Sequence, residues 1–290
     1  MFSFFKKKES KKEVVKVVHE EEDYNDAMPI AEYFHKETGI TFDNQMSILK
    51  SKLTSFCRQR NIYSFKTLLS DIQRQSELKQ ELVDHLTTNE TFFYREIKQI
   101  NDLVELVKQS SGRVNILCAP SATGEEPYSI AIALLEAGVS ASSFSIVGID
   151  INSEAITKAQ DAIYGERNIR NLSDSIITKY FTQKDTKYVL DQSIKSLVTF
   201  KIANLFDSSF TSLGKFDFVF SRNMLIYFDK ETKLKAKAIL ESVRKDTRHE
   251  VFFGHADLFY AKTRNYIFCI ISSNSLLICA LSCISLHSRT

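Results

Sequence analysis

VNILCAPSATGEEPYSIAIALLE, residues Val114 to Glu136, holds a complete strand–turn–helix unit. Val114 to Cys118 is the short apolar run of a buried strand. Ala119 to Gly124 are mostly small, as a tight turn requires. Pro127 falls in the first helical turn, where a residue without an N–H is tolerated. From Tyr128 to Leu135 the apolar residues continue at helical spacing. Strand, turn and helix in this order open a nucleotide-binding α/β sheet, and the helix N-terminus turns its backbone N–H groups toward a ligand. Glu125 and Glu126 occupy that first turn. They suit the positive end of a helix and repel a pyrophosphate, so the ligand expected here is zwitterionic or cationic.

Working outward, FSIVGI, Phe144 to Ile149, reads as the next parallel strand and ends at Asp150. An acid at that tip is placed to accept hydrogen bonds from ribose hydroxyls. It is equally placed to cap the helix that starts near Asn152. Both readings stand on these residues alone, and together the turn and the acid say Rossmann-like without naming a cofactor.

The 290 residues are enough for one large or two small domains, and 43% of them are hydrophobic, which supplies a core. A net charge of +2 gives no strong field, so nothing points to nucleic acid. Five cysteines without a CxxC pair argue against a disulfide framework and against a zinc site, and imply a reducing cytoplasm. Met1 to Phe5 is too short an apolar run for a secretory signal.

Four ordered stretches narrow the reading: TTNETFFYRE (Thr87 to Glu96), ATGEEPYSIA (Ala122 to Ala131), GIDINSEAITKAQDAIYGER (Gly148 to Arg167) and FDFVFSRNMLIYFD (Phe216 to Asp229). Together they resemble the CheR family of chemotaxis receptor methyltransferases, which are protein-glutamate O-methyltransferases. The similarity runs from about Ala31 to His255. It implies a Rossmann-like α/β methyltransferase sheet with a small N-terminal all-α domain and a small inserted β-subdomain. The implied methyl donor is S-adenosylmethionine, leaving S-adenosylhomocysteine. The implied acceptors are glutamates on chemoreceptor cytoplasmic helices, reached by a monomer in the cytoplasm at receptor arrays. A methyltransferase with another carboxylate acceptor, and an inactive donor-binding array protein, are the competing functions.

Carried over residue by residue, the resemblance assigns donor binding to Asn89, Thr91, Arg95, Glu125, Asp150, Asn204, Leu205, Arg222 and Asn223. Arg95 and Tyr227 are the candidates for positioning the acceptor carboxylate, since a guanidinium fork matches two oxygens. Arg95 otherwise reads as a surface arginine paired with Glu90 or Glu96, Asn204 as an Asx turn, and Tyr227 as a core-edge tyrosine. Lys52 and Arg58 fall on the basic helix that meets an acidic receptor helix in the family, or on a solvated face. Ser55 stands where another base is often found, and Ser221 where cysteine is usual.

In order, the chain divides into a charged leader (1–26), a helical domain (27–87), a methyltransferase domain (88–265) with a β-subdomain at 171–202, and an apolar tail (266–290). Lys6 to Lys12 could touch a membrane surface, but a disordered leader is the plainer reading. No glycine lies between Gly165 and Gly214. Family members that dock a receptor C-terminal peptide use a glycine-rich loop there, so this chain is expected to manage without the peptide. The tail, YIFCIISSNSLLICALSCISL from Tyr266, has no charge. It reads as an altered end, as a poor membrane anchor, or as the supplier of a last strand in YIFCIIS; no membrane span is expected.

Overall fold

Neighbouring residues of the first strand, β1 (Val114–Cys118), face opposite sides: Ile116 and Cys118 enter one core, Leu117 another. A strand buried on both faces is mostly apolar, and the one polar residue of VNILC, Asn115, is partly buried and accepts from Ser145 Oγ on the neighbouring strand at 2.7 Å. β1 lies at the centre of a parallel sheet. It pairs on one side with β2 (Phe144–Asp150), which pairs with β6 (Val198–Ile202). On the other side it pairs with β7 (Phe218–Ser221), which pairs with β8 (Phe252–Phe253). The order is β6-β2-β1-β7-β8. The chain leaves β1 in one direction and returns on its other flank, so the switch point lies between the carboxyl ends of β1 and β7, where such sheets bind ligands. The computed structural model describes residues 22–43, 45–257, 260–263 and 266–269.

Helix α5 (Ile97–Gln109) and helix α6 (Glu125–Glu136) cover one face through Ile100, Leu103, Tyr128, Ile130 and Leu134. α7 (Ser153–Asp161) adds Ile156 and Ala159 to that layer. Short helices α8 (Glu166–Ile169), α9 (Asp174–Tyr180), α10 (Gln192–Lys195) and α11 (Ser208–Thr211) fill the connections. On the second face α12 (Lys230–Ser242) packs Ala236 and Leu240 with Leu205, Phe210 and Phe216.

The N-terminal domain is α1 (Met28–Thr38), α2 (Met46–Gln59), α3 (Phe65–Ile72) and α4 (Ser76–Leu86). Their core is separate: Ile30, Phe34, Leu49, Leu53, Phe56, Leu68, Ile72 and Leu82 are all nearly inaccessible. Gly39 ends α1 at φ 75°, and a Cβ there would run into the Phe206 ring, so the turn needs glycine twice over.

The small sheet departs from its expected position. It consists of β3 (Ile163–Gly165), β4 (Phe181–Lys184) and β5 (Lys187–Leu190), antiparallel in the order β3-β5-β4. It therefore begins at Ile163, ahead of the expected start at 171. Val198 to Ile202, assigned to the subdomain at 171–202, is instead the edge strand of the main sheet, with Asp150 level with Ile202. Phe93 clamps the subdomain to the body, edge-on to Tyr164 at 4.8 Å and to Phe181 at 5.4 Å. Such pairs contribute about 0.5–1.5 kcal/mol each beyond burial.

Tyr266 to Cys269 is a strand, but it pairs antiparallel with Tyr260–Thr263 as a separate two-stranded sheet and not with the main one. The readings made for Met1 to Glu21 and for residues 270–290 lie outside the described residues. Among the described residues no helix is long and apolar enough to cross a membrane.

Candidate functional site

Two turns meet at the switch point, and each is built on a buried carboxylate. The first is Ala119 to Gly124, after β1. Asp150, 5% exposed, accepts the Ala122 N–H on Oδ2 and the Asn152 N–H on Oδ1, both at 2.9 Å. The helix after β2 is capped by Asn152, whose side chain takes the Ala155 N–H at 2.7 Å, so Asp150 is not its cap. Burial pushes the Asp150 carboxyl up to about 6, while its amide donors pull it down. Two amides leave lone pairs free on a carboxylate, which can accept about four hydrogen bonds. Glu125 is fully buried and occupied: Thr123 Oγ1 and Asn168 Nδ2 each donate to it at 2.7 Å.

The second turn follows β7. Arg222, 6% exposed, makes an ion pair with Glu126 at 2.5 Å and donates to the Arg95 carbonyl at 2.7 Å. It thus ties β7 both to α6 and to the loop before α5. Asn223 has left-handed backbone, φ 59°, and its N–H points at Asp257. Asp257 also takes the Leu225 N–H at 2.8 Å and the Gly254 N–H at 3.1 Å. The sequence reading passed over Asp257. Its signal was the GHAD run beyond the last strand, which is polar and small where a helix or strand should continue.

The third wall is the loop Thr87 to Glu96, between α4 and α5. Tyr94 and Glu96 hold φ of 54° and 50°, as Ala122 does at 46° in the first turn. Left-handed conformations in non-glycine residues cost of order 1–3 kcal/mol and gather at functional sites. Arg95 donates to the Glu90 carbonyl at 3.2 Å, so the expected carboxylate pairing with Glu90 or Glu96 is not what holds it. Among the described residues the side chains of Asn89 and Thr91 and the Tyr227 hydroxyl have no hydrogen-bond partner. Burial raises the Tyr227 phenol, Arg95 opposes this and Glu90 adds to it, so Tyr227 is a neutral donor near pH 7.

Asn204 is braced: Nδ2 donates to the Glu37 carbonyl at 2.6 Å, and Oδ1 accepts the Phe206 N–H at 3.1 Å. The Asx turn is therefore present, and it also locks α1 to the sheet. Leu205 is buried in the second core. Thr41 N–H donates to the Tyr227 carbonyl at 3.0 Å, which ties the helical domain to the turn after β7.

Lys52 and Arg58 do not share a face. They stand six positions apart, about 240° around a helix. Lys52 Nζ donates to the Leu86 carbonyl at 3.0 Å, inside the domain. Arg58 instead joins Lys50 on the open side, where both flank Ser47, Ser51, Thr54 and Ser55 in a shallow groove of about 570 Å³. Glu22 grips the Arg58 guanidinium at 2.7 and 3.3 Å.

The switch point gathers the carboxyls of Glu125, Glu126 and Asp150, an acidic setting that suits S-adenosylmethionine, whose sulfonium and ammonium are both cationic. Buried Ser121 Oγ, Ser221 Oγ and Glu126 Oε1 lack hydrogen-bond partners among the described residues, and they lie in the turn after β1, at the end of β7 and in the first turn of α6. A family model described as the CheR methyltransferase SAM-binding domain matches residues 89–274, and one for the CheR all-alpha domain matches 27–87. The chain belongs to the CheR methyltransferase family. It is an S-adenosylmethionine-dependent methyltransferase on a Rossmann-like sheet with an N-terminal all-α domain. Among its CheR relatives is the chemotaxis protein methyltransferase of Campylobacter jejuni strain 81-176, 37% identical over 76% of this chain and 84% of that protein. Chemotaxis protein methyltransferase 2 of Vibrio cholerae is 34% identical over 78% and 83%. The chemotaxis protein methyltransferase of Salmonella typhimurium is 30% identical over 82% of this chain and 85% of that protein.

Proposed function

We propose that this CheR-family chain methylates glutamate side chains on the cytoplasmic helices of chemoreceptors, producing γ-glutamyl methyl esters. The observation that carries this reading is the unpartnered Tyr227 hydroxyl beside Arg95 at the mouth of the switch point. The two offer a neutral donor and a fixed cation, which suit a carboxylate acceptor. When bound, S-adenosylmethionine supplies an electrophilic methyl group. A glutamate is already ionised near neutral pH, so no base is required. The residues have to align and to exclude water. In this reading Asp150 holds the ribose. Asn89, Thr91, Glu125 and Asn223 line the donor, Asn204 and Leu205 border its adenine, and Arg222 pairs with Glu126 beside it, opposing the upward push of burial on that carboxyl.

The acidic receptor helix is assigned to the α2 groove, with Lys50 joining Arg58 and taking the place given to Lys52. Opposite charge there speeds encounter more than it deepens affinity. The protein acts as a monomer at cytoplasmic receptor arrays. The test has two parts. Calorimetry reads S-adenosylmethionine binding to the full chain. Transfer of labelled methyl to a receptor cytoplasmic fragment, released by mild base, reads ester formation. Label that resists base would show another acceptor atom. Donor binding with no transfer would mark an inactive array protein.

A further inference from the structure

The turn from Arg222 to Tyr227 carries three of the proposed site residues and has little regular structure to hold it. One residue 30 positions or more downstream does that work. Asp257 is 1% exposed. Its Oδ2 accepts the N–H of Asn223 and, at 3.1 Å, that of Gly254, and its Oδ1 accepts the N–H of Leu225 at 2.8 Å. Both oxygens are therefore committed to the loop. Gly254 completes the fit. A Cβ on it would stand 2.9 Å from the Asn223 nitrogen and 3.1 Å from Asp257 Oδ2, so no side chain is accommodated between clamp and loop. The segment bearing the clamp is itself anchored. Gln99 Nε2 donates to the Phe253 carbonyl at 2.7 Å, and His255 Nδ1 lies 2.9 Å from Glu96 Oε2. Both anchors sit at the start of α5, next to the Arg95 loop.

We propose that Asp257 is a positioning residue for methyl transfer. It acts through the backbone, fixing the left-handed Asn223 toward the donor and the Tyr227 hydroxyl toward the acceptor. This rests on the donor and acceptor roles proposed above for Asn223 and Tyr227. The isosteric amide cannot replace it. An asparagine offers one carbonyl where two oxygens are used, and turns an N–H toward an N–H. A buried donor left unmatched costs on the scale of a tenfold change in equilibrium or more.

The experiment compares the full-length wild type with Asp257→Asn and Gly254→Ala. The first reading is amide hydrogen exchange without ligand. We expect exchange at Asn223 and Leu225 to rise about tenfold or more in both variants, while Ala122 and Asn152, held by Asp150, keep wild-type rates. Calorimetry with S-adenosylmethionine should give a Kd about tenfold weaker per folded molecule, and kcat should fall with the receptor KM unchanged. Gly254→Ala keeps the carboxylate and its charge, so the same pattern there traces the effect to loop geometry. A merely structural role predicts something else: exchange raised across the whole molecule, fewer active molecules, and an unchanged donor Kd in those that fold. That result, or unchanged exchange at Asn223 and Leu225, overturns the proposal. If the wild type itself fails to bind S-adenosylmethionine, the donor reading falls, and the exchange rates still decide the clamp.

Discussion

Asp150 and Asp257 do the same job on the two sides of one cleft. Each is a nearly inaccessible carboxylate at the carboxyl edge of the sheet, and each holds a turn by its backbone N–H groups. Burial raises both, Asp150 to about 6 and Asp257 in the same direction. They differ in their distance along the chain from what they hold. Asp150 ends the strand next to β1 and reaches a turn inside the same β1–α6–β2 unit. Asp257 comes after α12 and β8 and reaches back to the end of β7. A turn held from within its own unit is written in a local motif. A turn held from afar is settled only once the sheet has assembled.

The strongest way to break the comparison is to cut the link between the two turns. Arg222→Ala leaves the buried Glu126 carboxyl, 8% exposed, without its counter-charge. Removing one member of a buried pair costs about 3–5 kcal/mol. Urea unfolding should show that loss, and Arg222→Met with Glu126→Gln should recover much of it. Asp150→Ala comes next. It removes the acceptor of two amides, and calorimetry should show S-adenosylmethionine binding weakened about 100-fold, the scale of two such hydrogen bonds. Wild-type affinity in that variant would mean that the first turn holds itself. Tyr227→Phe should lower kcat about tenfold with donor Kd unchanged, whereas parallel loss of both would place the hydroxyl on the donor.

Acidity separates folding from binding. The Asp150 carboxyl sits at about 6 in the folded chain against a usual 3.8. The stability it lends is complete below about pH 3.8 and is lost as pH rises through 6, because the folded state holds its proton more tightly. Donor binding runs the other way. The ionised form is the one that accepts from Ala122 and Asn152, so affinity should fall as pH drops below about 6, and Asp150→Asn should flatten that profile. The smallest effect belongs to α2. Neutralising Lys50 and Arg58 should raise receptor KM about threefold at low salt and less at high salt. Lys52→Met should leave KM alone and lower the melting temperature, since it strands the Leu86 carbonyl.

The sheet centre was legible because β1, β2 and β7 are largely buried on both faces and so mostly apolar; their interior polar residues, Asn115 and Ser145, satisfy each other across the ladder at 2.7 Å. Sheet membership was not. LVTFKI carries strand propensity, but nothing within it tells a main-sheet edge from a subdomain strand. Only pairing with β2 decides that. Ile163 to Gly165 escaped because three residues are too few to show alternation, and they run on directly from a helix. Lys52 was carried over by resemblance together with Arg58, and order along the chain does not show that the two stand about 240° apart around α2, with Lys52 bonded to the Leu86 carbonyl. Glu125 and Asn204 were found as polar residues at the right edge, yet their side chains are spent within the protein on Thr123, Asn168 and Glu37. A sequence records which groups are polar at a site, not which remain free once the loops have closed.

The bonds from Asn204 to Glu37 and from Thr41 to Tyr227 tie the helical domain to the carboxyl edge of the sheet at two separate points. Under the function proposed above, a receptor rod held at one point by α2 would be measured against a fixed gauge. Only a side chain one set distance along its axis, and on the side facing the opening, would arrive where Tyr227 stands. The choice among chemically identical glutamates would then be a matter of length, and a shim of one residue in the rod would move the choice to another side of it.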